Sequence, residues 1–121
     1  MGNEPSRGIS VILPCLNETA SLGQVIESAR RGIAKLGLPE DIIVVDNGST
    51  DLSAQVARAH GARVLTEPHR GYGSALRKGF ENARYDIIVM GDADLSYDLS
   101  ALDTLAAPLL KGEVEIGRAH V

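Results

Sequence analysis

The stretch GDADLSYD, residues 91–98, places carboxylates at Asp92, Asp94 and Asp98 directly behind the apolar run DIIVM. Asp92 and Asp94 are two residues apart, so on an extended backbone both side chains leave on one side while Ala93 faces away. Two carboxylates held this close repel, and ionising both is costly unless a cation or a proton lies between them. Oxygen-only donors suit Mg²⁺ or Mn²⁺, whose partly filled shells leave places for phosphate oxygens and water. An isolated DxD reads first as two strand-end aspartates capping a turn, so its context must decide.

That context is three more polar clusters: PCLNE at 14–18, DNGSTD at 46–51 and EPHRGYG at 67–73. Asp46 can accept from a nucleobase N–H or a ribose hydroxyl, while Ser49, Thr50 and Asp51 are residue types that cap helices. Asn17 and Glu18 either face the same nucleoside or cap the helix that follows them. Arg70, Gly73 and Arg77 lie around a glycine-flexed helix start, where backbone N–H groups and cations can meet a diphosphate. Lys78 reads as a solvated surface charge, His69 has no partner at metal-ligand spacing, and Cys15 reads as packing rather than as a nucleophile.

The elements that must position these clusters alternate in period. Ile9 to Leu13, Ile42 to Val45, Arg63 to Leu65 and Ile87 to Met90 are short runs rich in Ile and Val, bounded by turn formers, and predict strands. Leu22, Val25, Ile26, Ala29, Ile33 and Leu36 recur at helical steps up to Gly37 and Pro39. A second helix is expected from near Ser49–Asp51 to His60, with Gly61 at its C′ position, and a third through Ala75, Leu76, Gly79, Phe80 and Ala83. Ser100 and Asp103 resemble a capping box for a fourth, with Leu102, Leu105, Ala106 and Leu109 inward and Pro108 ending or kinking it.

Alternating strands and helices with nearly all-apolar strands predict an α/β, doubly wound, mostly parallel sheet covered on both faces. In such a sheet all four polar clusters follow strand ends on one edge and converge on one crevice, which is where open α/β sheets bind ligands. This co-location outweighs the turn-capping reading of the DxD.

Composition bounds the function. A chain of 121 residues with 44% hydrophobic and 23% charged residues fits one soluble globular domain. Its net charge of −4 provides no basic stripe for nucleic acid, and with no Trp and 3% aromatic residues it has no stacking platforms. No apolar run approaches the ~20 residues that cross a bilayer, and MGNEPSRG lacks the apolar segment of a signal peptide. Cys15 as the single cysteine fits a reducing cytoplasm. PCLNE contains no glycine, which rules out the dinucleotide fingerprint there, and the P-loop pattern is absent.

VILPCLNE, VVDNGSTD, HRGYGSALRKGFENA and IVMGDADLSYD together resemble, in order, the motifs of the family 2 glycosyltransferases with a GT-A fold, closest in flavour to the polyprenyl-phosphate sugar synthases. The resemblance covers about residues 9 to 112. It implies that Pro14, Asn17, Glu18 and Asp46 contact the base and ribose of a nucleotide sugar, UDP- or GDP-linked. It also implies that Asp92 and Asp94 hold Mg²⁺ or Mn²⁺ on the diphosphate, with Ser96 where many relatives carry a metal-proximal Gln. Relatives often continue the motif with His-Pro-Pro, and Tyr97, Asp98 and Leu99 depart from it, so a mannosyl donor is not implied.

The implied reaction is direct displacement at the anomeric carbon with inversion, onto a lipid phosphate or a glycan. A phosphate acceptor is already ionised and needs no general base, whereas a sugar hydroxyl does, and in relatives that base lies beyond residue 121. The expected organisation is a flexible segment 1–8, a nucleotide-diphospho-sugar-binding half 9–114, and a tail 115–121. EIGRAHV matches a translation of a common sequencing adapter, so the tail is expected to be a processing artefact; the alternative is the family's next strand in degraded form. Membrane contact, if made, is expected through an acceptor half beyond this chain, at the cytoplasmic face. Two other readings stand beside this one: a non-catalytic nucleotide-binding module or inert fragment, and a phosphohydrolase using Asp92, Asp94 and Ser96 as a DxDxS motif.

Overall fold

A computed structural model describes residues 7–94, 98–103 and 118–120. Its elements are β1 (Ile9–Cys15), α1 (Thr19–Ala34), β2 (Glu40–Asp46), α2 (Ser53–Ala59), β3 (Arg63–Thr66), α3 (Tyr72–Asn82), β4 (Ile87–Met90) and β5 (Arg118–His120), with a 3₁₀ turn at Leu99–Ala101. The strands form one sheet in the order β3-β2-β1-β4-β5, every neighbouring pair parallel. The α/β doubly wound expectation holds.

The apolar runs are continuous because both faces of the sheet are covered. Ile9, Val11, Leu13 and Cys15 of β1 face one way with Ile42 and Val44 of β2, into a core shared with Leu22, Val25, Ile26, Ala29 and Ile33 of α1. Ile12, Ile43, Val45 and Ile88 face the other way, against Ala75 of α3 with Leu76 and Phe80 partly buried beside it. The period of two along each strand thus splits one apolar run into two cores. α3 comes close to the sheet because Gly79 has no side chain: a Cβ there would collide with the Ile12 side chain.

At the edge where the strands begin, Asp41 is buried and ion-paired, its carboxylate 2.9 Å from Arg63 Nε. It also accepts from Ser10 Oγ at 2.8 Å and from the Arg84 N–H at 2.9 Å, tying β1, β2, β3 and the approach to β4 together. Among the described residues no buried side-chain N or O lacks a partner.

Two expected boundaries shift. α2 starts at Ser53 rather than at Ser49–Asp51, because those residues form a loop stitched to α1. The turn after β4 is capped by Asp98, whose Oδ1 accepts from the Ser100 N–H at 3.0 Å, not by Ser100. Leu105, Ala106, Pro108 and Leu109 lie outside the described residues, as do Ser96 and the segment 1–6. Arg118, Ala119 and His120, within the tail set apart above, pair by backbone with Ile88, Val89 and Met90. Such pairing along an open sheet edge uses main-chain groups and no particular side chains.

Candidate functional site

Because all strands are parallel, the four polar clusters do leave from one edge. The hydrogen-bond ladder runs past the strand ends: Asn47 N–H donates to Cys15 O at 2.9 Å, Glu67 N–H to Asp46 O at 2.9 Å, and Gly91 N–H to Ile12 O at 3.0 Å. Each cluster therefore departs from a fixed point. Between them opens a crevice of about 370 Å³, lined by Pro14, Cys15, Leu16 and Glu18 at and beyond the end of β1, Asn47 after β2, Arg70, Gly71 and Tyr72 at the start of α3, and Asp92, Ala93 and Asp94 after β4.

The DxD shows the expected alternation in burial, on a backbone that bends at Ala93 and Asp94 instead of staying extended. Ala93 is 3% exposed and turned into the core, whereas Asp92 and Asp94 are exposed at the crevice. Ser21 of α1 donates to the Ala93 carbonyl at 2.9 Å, fixing the turn between the two carboxylates. Across the crevice, the Tyr72 phenol stands near Asp92; burial first, and the Asp92 charge second, push that phenol's pKa up. Two exposed carboxylates, with the Cys15 thiol of the lining buried and protonated and no imidazole there, form a hard oxygen donor set that fits Mg²⁺ or Mn²⁺. Among the described residues no group of three His, Cys, Asp or Glu gathers, so an ion there would draw its further ligands from phosphate and water.

Arg70 faces the same space. Its guanidinium lies over Gly48, where a Cβ would stand 3.5 Å from Nε. Gly71 follows with φ 126° and ψ 146°, a conformation open to glycine alone, and α3 then starts without a side-chain cap. The first turn of α3 thus begins at the crevice rim, where helix N–H groups favour an anion.

The start of α1 is closed instead. The N–H groups leading into it are taken by the loop before α2 and by the first residue of α2: Asn17 N–H donates to Ser49 Oγ at 2.9 Å, Glu18 N–H to Ser53 Oγ at 2.9 Å and Thr19 N–H, the first of α1, to Asp51 Oδ2 at 3.3 Å. In return Asn17 Oδ1 accepts from the Thr50 N–H at 2.8 Å. Asn17 thereby braces two loops, at φ 54°, while Glu18 alone of the two lines the crevice. Asp46 is half-buried at the end of β2 with Oδ1 on the Ser49 N–H at 3.0 Å, beside the crevice lining rather than in it.

Gly73 is exposed as the second residue of α3, and Arg77 lies elsewhere. It lines a second cavity of about 280 Å³ with Glu67, His69, Ser74, Lys78 and Glu81, in which two carboxylates meet the two cations. Cys15 is buried; burial above all, with the Asp46 charge assisting, raises its thiol pKa, which keeps it protonated and fits a packing role. Asn47 was not singled out from the sequence, yet it is the residue that ties this edge together. Its Nδ2 donates to the Glu67 and His69 carbonyls, both at 2.8 Å, and its Oδ1 accepts from the Gly71 N–H at 2.9 Å.

An open α/β sheet with an acidic pair and an arginine facing each other beyond its strand ends has its crevice where such sheets bind ligands. Residues 10–119 match the model of glycosyl transferase family 2, and the chain belongs to that family. It is 45% identical over 104 residues to an uncharacterized glycosyltransferase of Mycobacterium tuberculosis, a match covering 86% of this chain and 44% of that protein. It is 36% identical over 96 residues to the undecaprenyl-phosphate 4-deoxy-4-formamido-L-arabinose transferase of Pectobacterium atrosepticum, across 74% of this chain and 29% of the transferase.

Among solved structures, glucosyl-3-phosphoglycerate synthase from Mycobacterium tuberculosis, in complex with Mn²⁺, UDP and glucosyl-3-phosphoglycerate, superposes with a TM-score of 0.71 at 38% identity. That likeness covers 88% of this chain and 41% of the synthase. The chain thus spans less than half the length of these relatives. Family membership sets aside the phosphohydrolase reading of Asp92, Asp94 and Ser96.

Proposed function

We propose that the chain is the donor-binding half of an inverting glycosyltransferase that takes a nucleoside-diphosphate sugar, with UDP as the favoured nucleotide. The observation that carries this is the meeting, in one crevice, of Asp92 and Asp94 with Arg70 and the uncapped start of α3. A diphosphate bridging a divalent cation and an arginine needs that arrangement. UDP is favoured over GDP because the mycobacterial synthase, 38% identical, is described with UDP.

In this reading Asp92 and Asp94 hold Mn²⁺ or Mg²⁺, which when bound supplies Lewis-acid stabilisation of the departing diphosphate. Arg70 and the first N–H groups of α3 share that charge, with Gly73 keeping the approach clear of side chains. Pro14, Glu18 and Asp46 form the end nearer the base and ribose, and Asn17 supports them through its loop. Arg77 stands apart from this path, in the second cavity. The acceptor we favour carries a phosphate, a lipid phosphate before a glycan, because one relative is an undecaprenyl-phosphate transferase and the similar synthase is described with a phosphorylated product. Its setting is the cytoplasm or the cytoplasmic face of a membrane, where nucleotide-sugar donors and a free, buried Cys15 are both at home.

The test is the thermal shift of this chain with UDP and GDP, with and without Mn²⁺, beside Asp94→Ala. A ligand binding only the folded state at ~100 times its Kd stabilises it by ~2.7 kcal/mol. We expect a Mn²⁺-dependent shift with UDP that Asp94→Ala abolishes. A shift that survives the substitution, or none from well-folded protein, would sink the donor-site reading.

A further inference from the structure

Asn47 directly follows β2 and is 8% exposed. A neutral side-chain amide has two N–H donors and a carbonyl acceptor. Asn47 directs all of them to one loop: its donors to the carbonyls of Glu67 and His69, and its acceptor to the Gly71 N–H. The loop so held carries Arg70 into the crevice, over Gly48, and hands on to Tyr72, which lines the crevice with Asp92. The charged neighbour Asp46 meanwhile bonds within its own loop, to Ser49.

We infer that Asn47 is a positioning residue: it holds the β3–α3 loop in the conformation that presents Arg70 to the diphosphate of the donor before the donor arrives. The inference rests on the donor-site reading above. An irregular loop that had to order on binding would lose affinity to that ordering, and three bonds to a buried amide remove the loss in advance. Asn47 acts through Arg70 and needs no contact with the ligand.

This role has a signature that general destabilisation lacks. Asn47→Asp keeps the shape and the acceptor but sets a carboxylate oxygen against the Glu67 and His69 carbonyls. The measurement is the Kd for UDP with Mn²⁺, by calorimetry, for the whole chain, Asn47→Asp, Arg70→Ala and the double variant. We expect each single substitution to weaken binding about tenfold, and the double to be no weaker than Arg70→Ala, since placing an arginine that is absent gains nothing.

Equal losses from Asn47→Asp in both backgrounds, or no loss in either, would overturn the positioning role while leaving the donor site intact. Failure of the unmodified chain to bind UDP with Mn²⁺ would instead refute the site itself, and this role with it. Gly71→Ala provides a second handle should Asn47→Asp not fold. It strains φ 126° without any steric contact, and is expected to weaken UDP binding only while Arg70 is present. Unchanged affinity in that variant would overturn the inference as well.

Discussion

Ser53 Oγ accepts the Glu18 N–H at the start of α1 and donates to Asp51 Oδ1 at 2.6 Å, so this first residue of α2 serves the other helix. Ser53 is fully buried, and Ser53→Ala would strand the Glu18 N–H; we expect a loss of about 1–2 kcal/mol in urea denaturation, with little change in the slope. A loss below a few tenths would show that water replaces the hydroxyl. Residues like this one explain what the sequence conceals. Asp92 and Asp94 are legible because the alternation that aims them is local, as is the burial of Ala93 between them. Ser53 and Asn47 are not, since their partners stand 35 and 20 to 24 positions away and their types suit any turn. DNGSTD draws the eye to its charges, while the neutral amide makes the longer reach.

Elements were easier to read than their ends. Two cores on opposite faces are what uninterrupted Ile and Val runs demand, and the helical steps from Leu22 to Ile33 recur as the buried face of α1. Gly61, with φ 81°, takes the left-handed turn after α2 that its place after His60 predicts. Ends failed where the capping residue types serve another helix, as Ser49 and Asp51 serve the approach to α1, or where the cap is a residue just upstream, as with Asp98. Arg77 was grouped with Arg70 by closeness in sequence. A helix begins between them, and its rotation carries Arg77 to another face and another cavity. At this scale Gly79 is the sharpest test: Gly79→Ala puts a methyl into Ile12, and although alanine favours helix we expect the overpacking to dominate, a net loss of about 1–3 kcal/mol by denaturant melt. Stabilisation instead would mean that α3 can lift from the sheet without cost.

For the molecule as a whole, acid should be the weak side. Burial alone would raise the Asp41 carboxyl, but hydrogen bonds from Arg63, the Arg84 N–H and Ser10 outweigh it and hold the pKa below its usual 3.8. Asp51 is held at about 2, against 3.8, chiefly by the Ser53 and Thr19 hydrogen bonds. Both folded values are depressed, so the unfolded chain takes up protons first as pH falls. The stability they contribute is present above about pH 4 and drains away through the folded values. Urea midpoints should therefore fall steeply below about pH 4, and less steeply in Asp41→Asn; an identical slope in the variant would remove Asp41 from the account. The stitching of α1 to the loop before α2 bears on synthesis as well as on stability. The N–H groups of Asn17, Glu18 and Thr19, which lead into α1, wait for Ser49, Ser53 and Asp51, 32 to 35 residues downstream. A nascent chain leaving the ribosome therefore cannot seal its first helix until β2 and the loop beyond it have emerged, and one wall of the crevice is finished only then.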